Sequence, residues 1–129
     1  MCEESWRDCC AWLTRIGLIT QEHRANSPTA TVKDLAYNLR DGVQICRLLN
    51  LIQPNSLDLK DISQKPQMAQ FLCLRNIRTF LQVCKNVFEL KDTDLFQPSM
   101  LFDLSDFGKV LCTLSKLSSC PKAQRSNIP

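Results

Sequence analysis

The sequence predicts an all-α domain, and three observations carry this. Apolar residues recur at spacings of three and four wherever a pattern exists, which is helical periodicity. No stretch alternates apolar and polar residues as a half-buried strand would. Gly numbers 3 and Pro 6 among 129 residues, too few for the turns of an all-β chain. The length fits one domain. A content of 44% hydrophobic and 22% charged residues is globular and excludes disordered and low-complexity classes.

Four main helices and a few short connecting ones follow in order. Residues 3–16 form an amphipathic helix with Trp6, Cys9, Leu13 and Ile16 on one face, widened by Trp12, and Gly17 stops it. Residues 20–31 are polar, contain Asn26-Ser27-Pro28, and read as a loop. A short helix spans Val32 to Leu39. Asp41-Gly42 then starts a new helix rather than a hairpin, because no alternating segments flank it. Ile45, Leu48, Leu49 and Ile52 form its stripe, and Pro54-Asn55-Ser56 ends it. The longest helix covers 67–88, with Pro66 suited to its first turn and Cys73, Ile77, Phe80, Leu81, Cys84 and Phe88 on its apolar face. Residues 92–104 are acidic and hold one or two helical turns. Ser105 is the expected N-cap of the last helix, with Asp106 in its first turn and Phe107, Val110, Leu111, Leu114 and Leu117 as its stripe. Residues 3–118 thus form the domain, and 119–129 a polar linker.

The unusual count is cysteine, at 8. Met1-Cys2-Glu3-Glu4 has acids where a signal peptide needs bases, and no apolar run follows. The expected location is therefore the reducing cytoplasm, where disulfides are rare. No Cys-x-x-Cys occurs, which leaves no ligand spacing for zinc. The lone histidine, His23, sits in the polar loop and reads as an exposed loop residue. No Cys lies in a Gly-rich or electropositive turn that would make it a nucleophile. Cys9, Cys46, Cys73, Cys84 and Cys112 fall on or beside apolar stripes and are expected to pack as small hydrophobes. Cys2, Cys10 and Cys120 remain as candidate exposed thiols. No cofactor is expected, and no segment reaches the 18 apolar residues of a membrane span.

The net charge of +3 is small, but its distribution is uneven. Residues 60–91 carry six bases and two acids, whereas 92–106 carry four Asp and no base. Arg75, Arg78, Gln82 and Lys85 share one face of the longest helix, away from Ile77, Leu81 and Cys84. Such a stripe keeps a domain soluble, and it also suits docking of an acidic segment. Exposed pairs contribute about 0.2–1 kcal/mol each, which makes a weak latch. Nucleic acid is not an expected partner, since three phosphate contacts give a salt slope of only about −2.7.

Three stretches resemble a known family. Leu39-Arg40-Asp41-Gly42-Val43 with Cys46-Arg47-Leu48-Leu49-Asn50 is similar to the hallmark segment of calponin homology domains. Trp12-Leu13 resembles that family's core Trp, and Asp106-Phe107-Gly108-Lys109-Val110-Leu111 its final helix. The run from Lys65 to Leu81 and that from Leu101 to Val110 are similar to the first domain of Vav proteins. The resemblance implies the calponin homology fold and a parent that exchanges guanine nucleotides on Rho-family GTPases. It implies a non-catalytic domain that helps hold the parent inhibited, through intramolecular contacts with downstream domains, until tyrosine phosphorylation relieves the restraint. The acidic region following this domain is then the candidate for the Arg75–Lys85 stripe. The alternative function is binding of F-actin, for which the wider family is known; strong actin binding there comes from tandem domains, and one is present here. Trp12, Asp41, Gly42 and Asn76 resemble family positions and are expected to be structural: Trp12 in the core, Asn76 satisfying a backbone group, and Gly42 allowing close packing.

Overall fold

The computed structural model describes residues 5–65 and 69–121, and no strand occurs among them. Six α-helices follow in chain order: α1 (Ser5–Arg15), α2 (Val32–Leu39), α3 (Val43–Ile52), α4 (Gln70–Asn86), α5 (Pro98–Phe102) and α6 (Phe107–Ser119). Short 3-10 turns at Arg24–Asn26, Leu59–Asp61 and Asp92–Asp94 sit in the connections. Helices α3 and α4 make the most extensive pair; α4 also packs on α5, α5 on α6, α6 on α1 and α1 on α2, and α2 returns to α3. Leu48, Leu49 and Ile52 from α3 and Cys73, Ile77 and Phe80 from α4 belong to the same fully buried core.

Helix ends follow local chemistry. Gly17 has φ +89° and donates its N–H to Thr14 O, the left-handed stop that glycine permits after α1. Pro98 opens α5. Three boundaries differ from expectation. Helix α4 begins at Gln70 rather than 67, because Ala69 is still extended (φ −67°, ψ 117°); Pro66 lies outside the described residues. Asp106, not Ser105, caps α6: its carboxylate accepts from the Lys109 N–H, while the Ser105 hydroxyl donates to Ser99 O. An ionised cap complements the helix dipole better than a hydroxyl. Helix α6 runs through Ser119, one residue past the expected 118, and Cys120 is buried.

The register of α4 against α3 is set by one buried polar residue. Asn76 is fully buried. Its Nδ2 donates to Asp41 O (3.0 Å) and Ser63 O (2.8 Å), and its Oδ1 accepts from the Ser63 N–H (2.8 Å). One side chain thus satisfies backbone groups at the start of α3 and in the 59–65 connection. Gly42 sits against it with φ +80°, and a Cβ there would lie 2.6 Å from the Asn76 Cβ. The Asp41 carboxylate accepts from the Val43 N–H and so closes the first turn of α3.

Trp12 is buried and faces a cavity of about 240 Å³ between α1 and α6, lined also by Cys9, Leu111 and Leu114. Large-to-small changes of Trp cost about 3–5 kcal/mol. Because one side of the indole already borders open volume, Trp12→Ala should fall at the low end, about 3 kcal/mol, read by urea unfolding.

The thiols divide differently from the sequence expectation. Cys10 and Cys120 are buried, not exposed. The Cys10 thiol points at Ala25 O and Asn26 Oδ1, because the 3-10 turn Arg24–Asn26 folds over it. Cys46, Cys73 and Cys84 are fully buried, whereas Cys9 and Cys112 are partly exposed at the edge of the apolar faces; Cys2 lies outside the described residues. Burial, aided by the Asp41 carboxylate, pushes the Cys46 thiol up from its ordinary 9.0 to about 12. Burial also raises Cys84, with Cys46 and Cys120 adding to it. A thiol that holds its proton more tightly when folded stabilises the fold below its unfolded pKa and loses that contribution as pH rises through the folded value. The urea midpoint should therefore fall from about pH 9 towards pH 12, and Cys46→Val should flatten part of that fall.

Candidate functional site

Helix α4 has two faces. Cys73, Ile77, Phe80 and Cys84 point into the core, and Arg75, Arg78, Gln82 and Lys85 are exposed on the opposite side. The structure brings the stripe together but does not leave it uniformly positive. Lys85 Nζ lies 3.0 Å from Asp92 Oδ1, so the first acid of the 92–106 run already neutralises the C-terminal end of the stripe. Among the described residues, Arg75 and Arg78 have no ion-pair partner. The free charge is therefore concentrated on the N-terminal half of α4.

That half carries a residue the sequence reading missed. Phe71 is 71% exposed, the most exposed large apolar side chain described. It lies four residues before Arg75 and seven before Arg78, on the same helical face. Its position off the Cys73–Ile77–Phe80 stripe was the available signal, because an apolar residue outside the core face has no packing reason to be there.

The C-terminal half borders a groove of about 610 Å³ between α4 and residues 92–98. Arg78, Gln82 and Lys85 line its α4 wall, and Leu81, Leu95 and Phe96 give it an apolar floor. Phe96 is fixed from below by Phe80, with ring centroids 6.1 Å apart. Segment 92–98 is held by α6: the Lys109 ammonium donates to Thr93 O, and the Thr113 hydroxyl donates to Asp94 O at 2.6 Å. The site is thus an aromatic–arginine platform continuing into a mixed groove. It can hold an extended or helical acidic segment, with arginine and aromatic residues of the kind that dominate binding energy at interfaces.

The remaining expected residues are placed elsewhere. Asp41, Gly42 and Asn76 meet at the α3–α4 junction, and Trp12 lies on α1. His23 is not a freely exposed loop residue. It is half-buried, and its Nδ1 accepts from the Ala25 N–H, capping the 3-10 turn. The imidazole can do this because the turn places that N–H over the ring edge, a contact invisible to a pattern of polar residues. No group of three or more His, Cys, Asp or Glu that could hold a metal occurs among the described residues. No helix among them is long and apolar enough to cross a membrane.

Comparison with known proteins adds the following. The profile of the calponin homology (CH) domain matches residues 3–123. The Drosophila melanogaster protein vav is 53% identical over 120 residues, covering 93% of this chain and 15% of that protein. The mouse guanine nucleotide exchange factor VAV3 is 48% identical over 125 residues, covering 97% of this chain and 15% of that protein. A solved structure described as autoinhibited Vav1 superimposes with a TM-score of 0.94 at 48% identity, over 97% of this chain and 24% of its own. A second, of Vav1 inhibited by an allosteric inhibitor, gives 0.95 at 48% identity, over 98% and 23%. The chain therefore spans about one-seventh of the length of these two relatives.

Proposed function

The chain belongs to the calponin homology domain family, in its Vav branch, and from that premise we propose that it is a regulatory module of a Rho-family guanine-nucleotide exchange factor. It is itself non-catalytic. It acts in the cytoplasm by contacting other domains of the parent and restraining exchange, and tyrosine phosphorylation relieves the restraint. The observation that carries this reading is the backbone match, at 48% identity, to the corresponding part of an autoinhibited Vav1.

The docking face is the exposed side of α4. Phe71, Arg75 and Arg78 supply the free part, and Lys85 the part shared with Asp92. The partner is an acidic segment of the parent. Exposed charge pairs contribute about 0.2–1 kcal/mol each, so the latch is weak enough for a modification to open.

Changing Arg75, Arg78 and Lys85 together to Glu in the full-length parent should raise basal exchange about two- to tenfold, with Lys85→Glu alone giving the smallest part. The rate of nucleotide exchange on a Rho-family GTPase checks this, with thermal melting of the isolated variant as the folding control. Unchanged basal exchange in a folded variant would remove α4 as the docking face. Deletion of residues 1–118 tests the wider reading, and no rise in exchange would remove it.

A further inference from the structure

A second feature lies away from α4, where the connection between α1 and α2 is pinned. His23 Nδ1 accepts from the Ala25 N–H at 3.0 Å. A neutral imidazole has one proton, so that proton must sit on Nε2. Nε2 lies 3.2 Å from the side-chain amide of Asn38 on α2. With the amide NH2 group towards the ring, two donors would face each other and the Asn38 carbonyl oxygen would lie buried with no partner. Rotating the amide by 180° places that oxygen on the Nε2 proton, at the cost of an N–H in the crevice the oxygen now fills. The orientation of an amide follows from its hydrogen bonds, and these favour the rotated form.

We infer that His23 is a proton-sensitive pin: its neutral Nε2–H tautomer caps the Arg24–Asn26 turn and ties it to Asn38, and a second proton at Nδ1 releases the cap. A protonated Nδ1 is a donor and cannot accept from Ala25. The turn is also fastened to α1, where Asn26 Nδ2 donates to Thr14 Oγ1 and the Cys10 thiol points at Ala25 O, and to α2, where the Arg24 guanidinium donates to the Asp34 carboxylate. Loss of the cap therefore frees the Ala25 N–H, while these ties and the Nε2–H bond to Asn38 persist.

The charged surroundings are mixed. On α2, the carboxylate nearest the turn is Asp34, and it is already engaged. The Thr31 N–H donating to its carboxylate, together with Arg24, holds it below the usual carboxylate range. Of the other charged residues nearby in the chain, Arg24 is paired with Asp34, and Glu22 and Lys33 are exposed. From α1, the charged group reaching the loop is Arg7, whose guanidinium donates to Ala30 O at 3.0 Å. The Cys10 thiol there is pushed up by burial and stays protonated.

The chain contains one histidine, so its ring signals are unambiguous. Long-range proton–nitrogen NMR of the 129-residue chain at neutral pH should show the Nε2–H tautomer. On lowering pH through the titration of His23, Ala25 amide exchange, corrected for its intrinsic pH dependence, should quicken about tenfold, as for a lost cap. His23→Asn retains an accepting cap without a titrating ring, so it should keep Ala25 protected and abolish the pH response. An Nδ1–H tautomer, an Ala25 amide indifferent to the titration, or the same pH response in His23→Asn would each overturn the inference.

Discussion

Replacing Asn76 with leucine should destabilise the domain by about 4–6 kcal/mol and leave it largely unfolded at 37 °C, given typical stabilities of about 5–15 kcal/mol. The size follows from what the amide does. It pairs Asp41 O, Ser63 O and the Ser63 N–H from a fully buried position. Leucine nearly preserves volume but leaves three backbone groups without partners, each costing about 1–3 kcal/mol when dry. The 59–65 connection can recover part of this by opening to water, which keeps the sum below the full total. Urea unfolding followed by circular dichroism checks the value. A loss under about 1.5 kcal/mol would show that Ser63 and Asp41 are already hydrated. Because Asn76 neighbours Arg75 on α4, a partly folded variant should also lose the docking role proposed for that helix.

Gly42→Val should cost about 4–6 kcal/mol by a different route at the same junction. A side chain at φ +80° is strained, by roughly 1–3 kcal/mol for an ordinary residue and more for a β-branched one. A Cβ would also sit 2.6 Å from the Asn76 Cβ and 3.0 Å from the Ile77 backbone nitrogen. The backbone atom cannot rotate away, so α3 and α4 must separate. Gly17 supplies the control. It has φ +89° but nothing within 4 Å of a Cβ, so Gly17→Val should show the strain alone. The difference between the two denaturation midpoints isolates the clash. Equal losses would mean that α4 accommodates the extra group.

Much of the core was legible because each helix is amphipathic within its own sequence. Leu35, Ala36 and Leu39 mark α2 to the residue, and Ile45, Leu48, Leu49 and Ile52 mark α3, since a periodic stripe needs no knowledge of its partner. The start of α4 was not legible, because nothing local distinguishes an extended Ala69 from a helical one. The cap of α6 moved from Ser105 to Asp106 for a related reason: both are good cap residues, and the backbone decides which side chain meets the Lys109 N–H. Cys10 and Cys120 were misplaced because burial at a stripe's edge depends on what folds over it, here a 3-10 turn and the end of the core.

The candidate site shows the same division. Spacing alone put Arg75, Arg78, Gln82 and Lys85 on one face of a helix. It did not reveal that Asp92 lies against Lys85, since that pairing needs the chain to reverse after α4, where Glu89 adopts φ +61° and the Leu90 N–H donates to Cys84 O. Nor did it show that Phe71 is left uncovered.

The sequence by itself determined the helical class, the apolar faces, the Asp41-Gly42 breakpoint and the basic face of α4, because these rest on neighbours three or four residues apart. Only the tertiary structure decided which charges are free, which thiols are buried, what Asn76 satisfies and what His23 touches. Those are contacts between distant segments, and their energies depend on how much water the packed neighbours exclude.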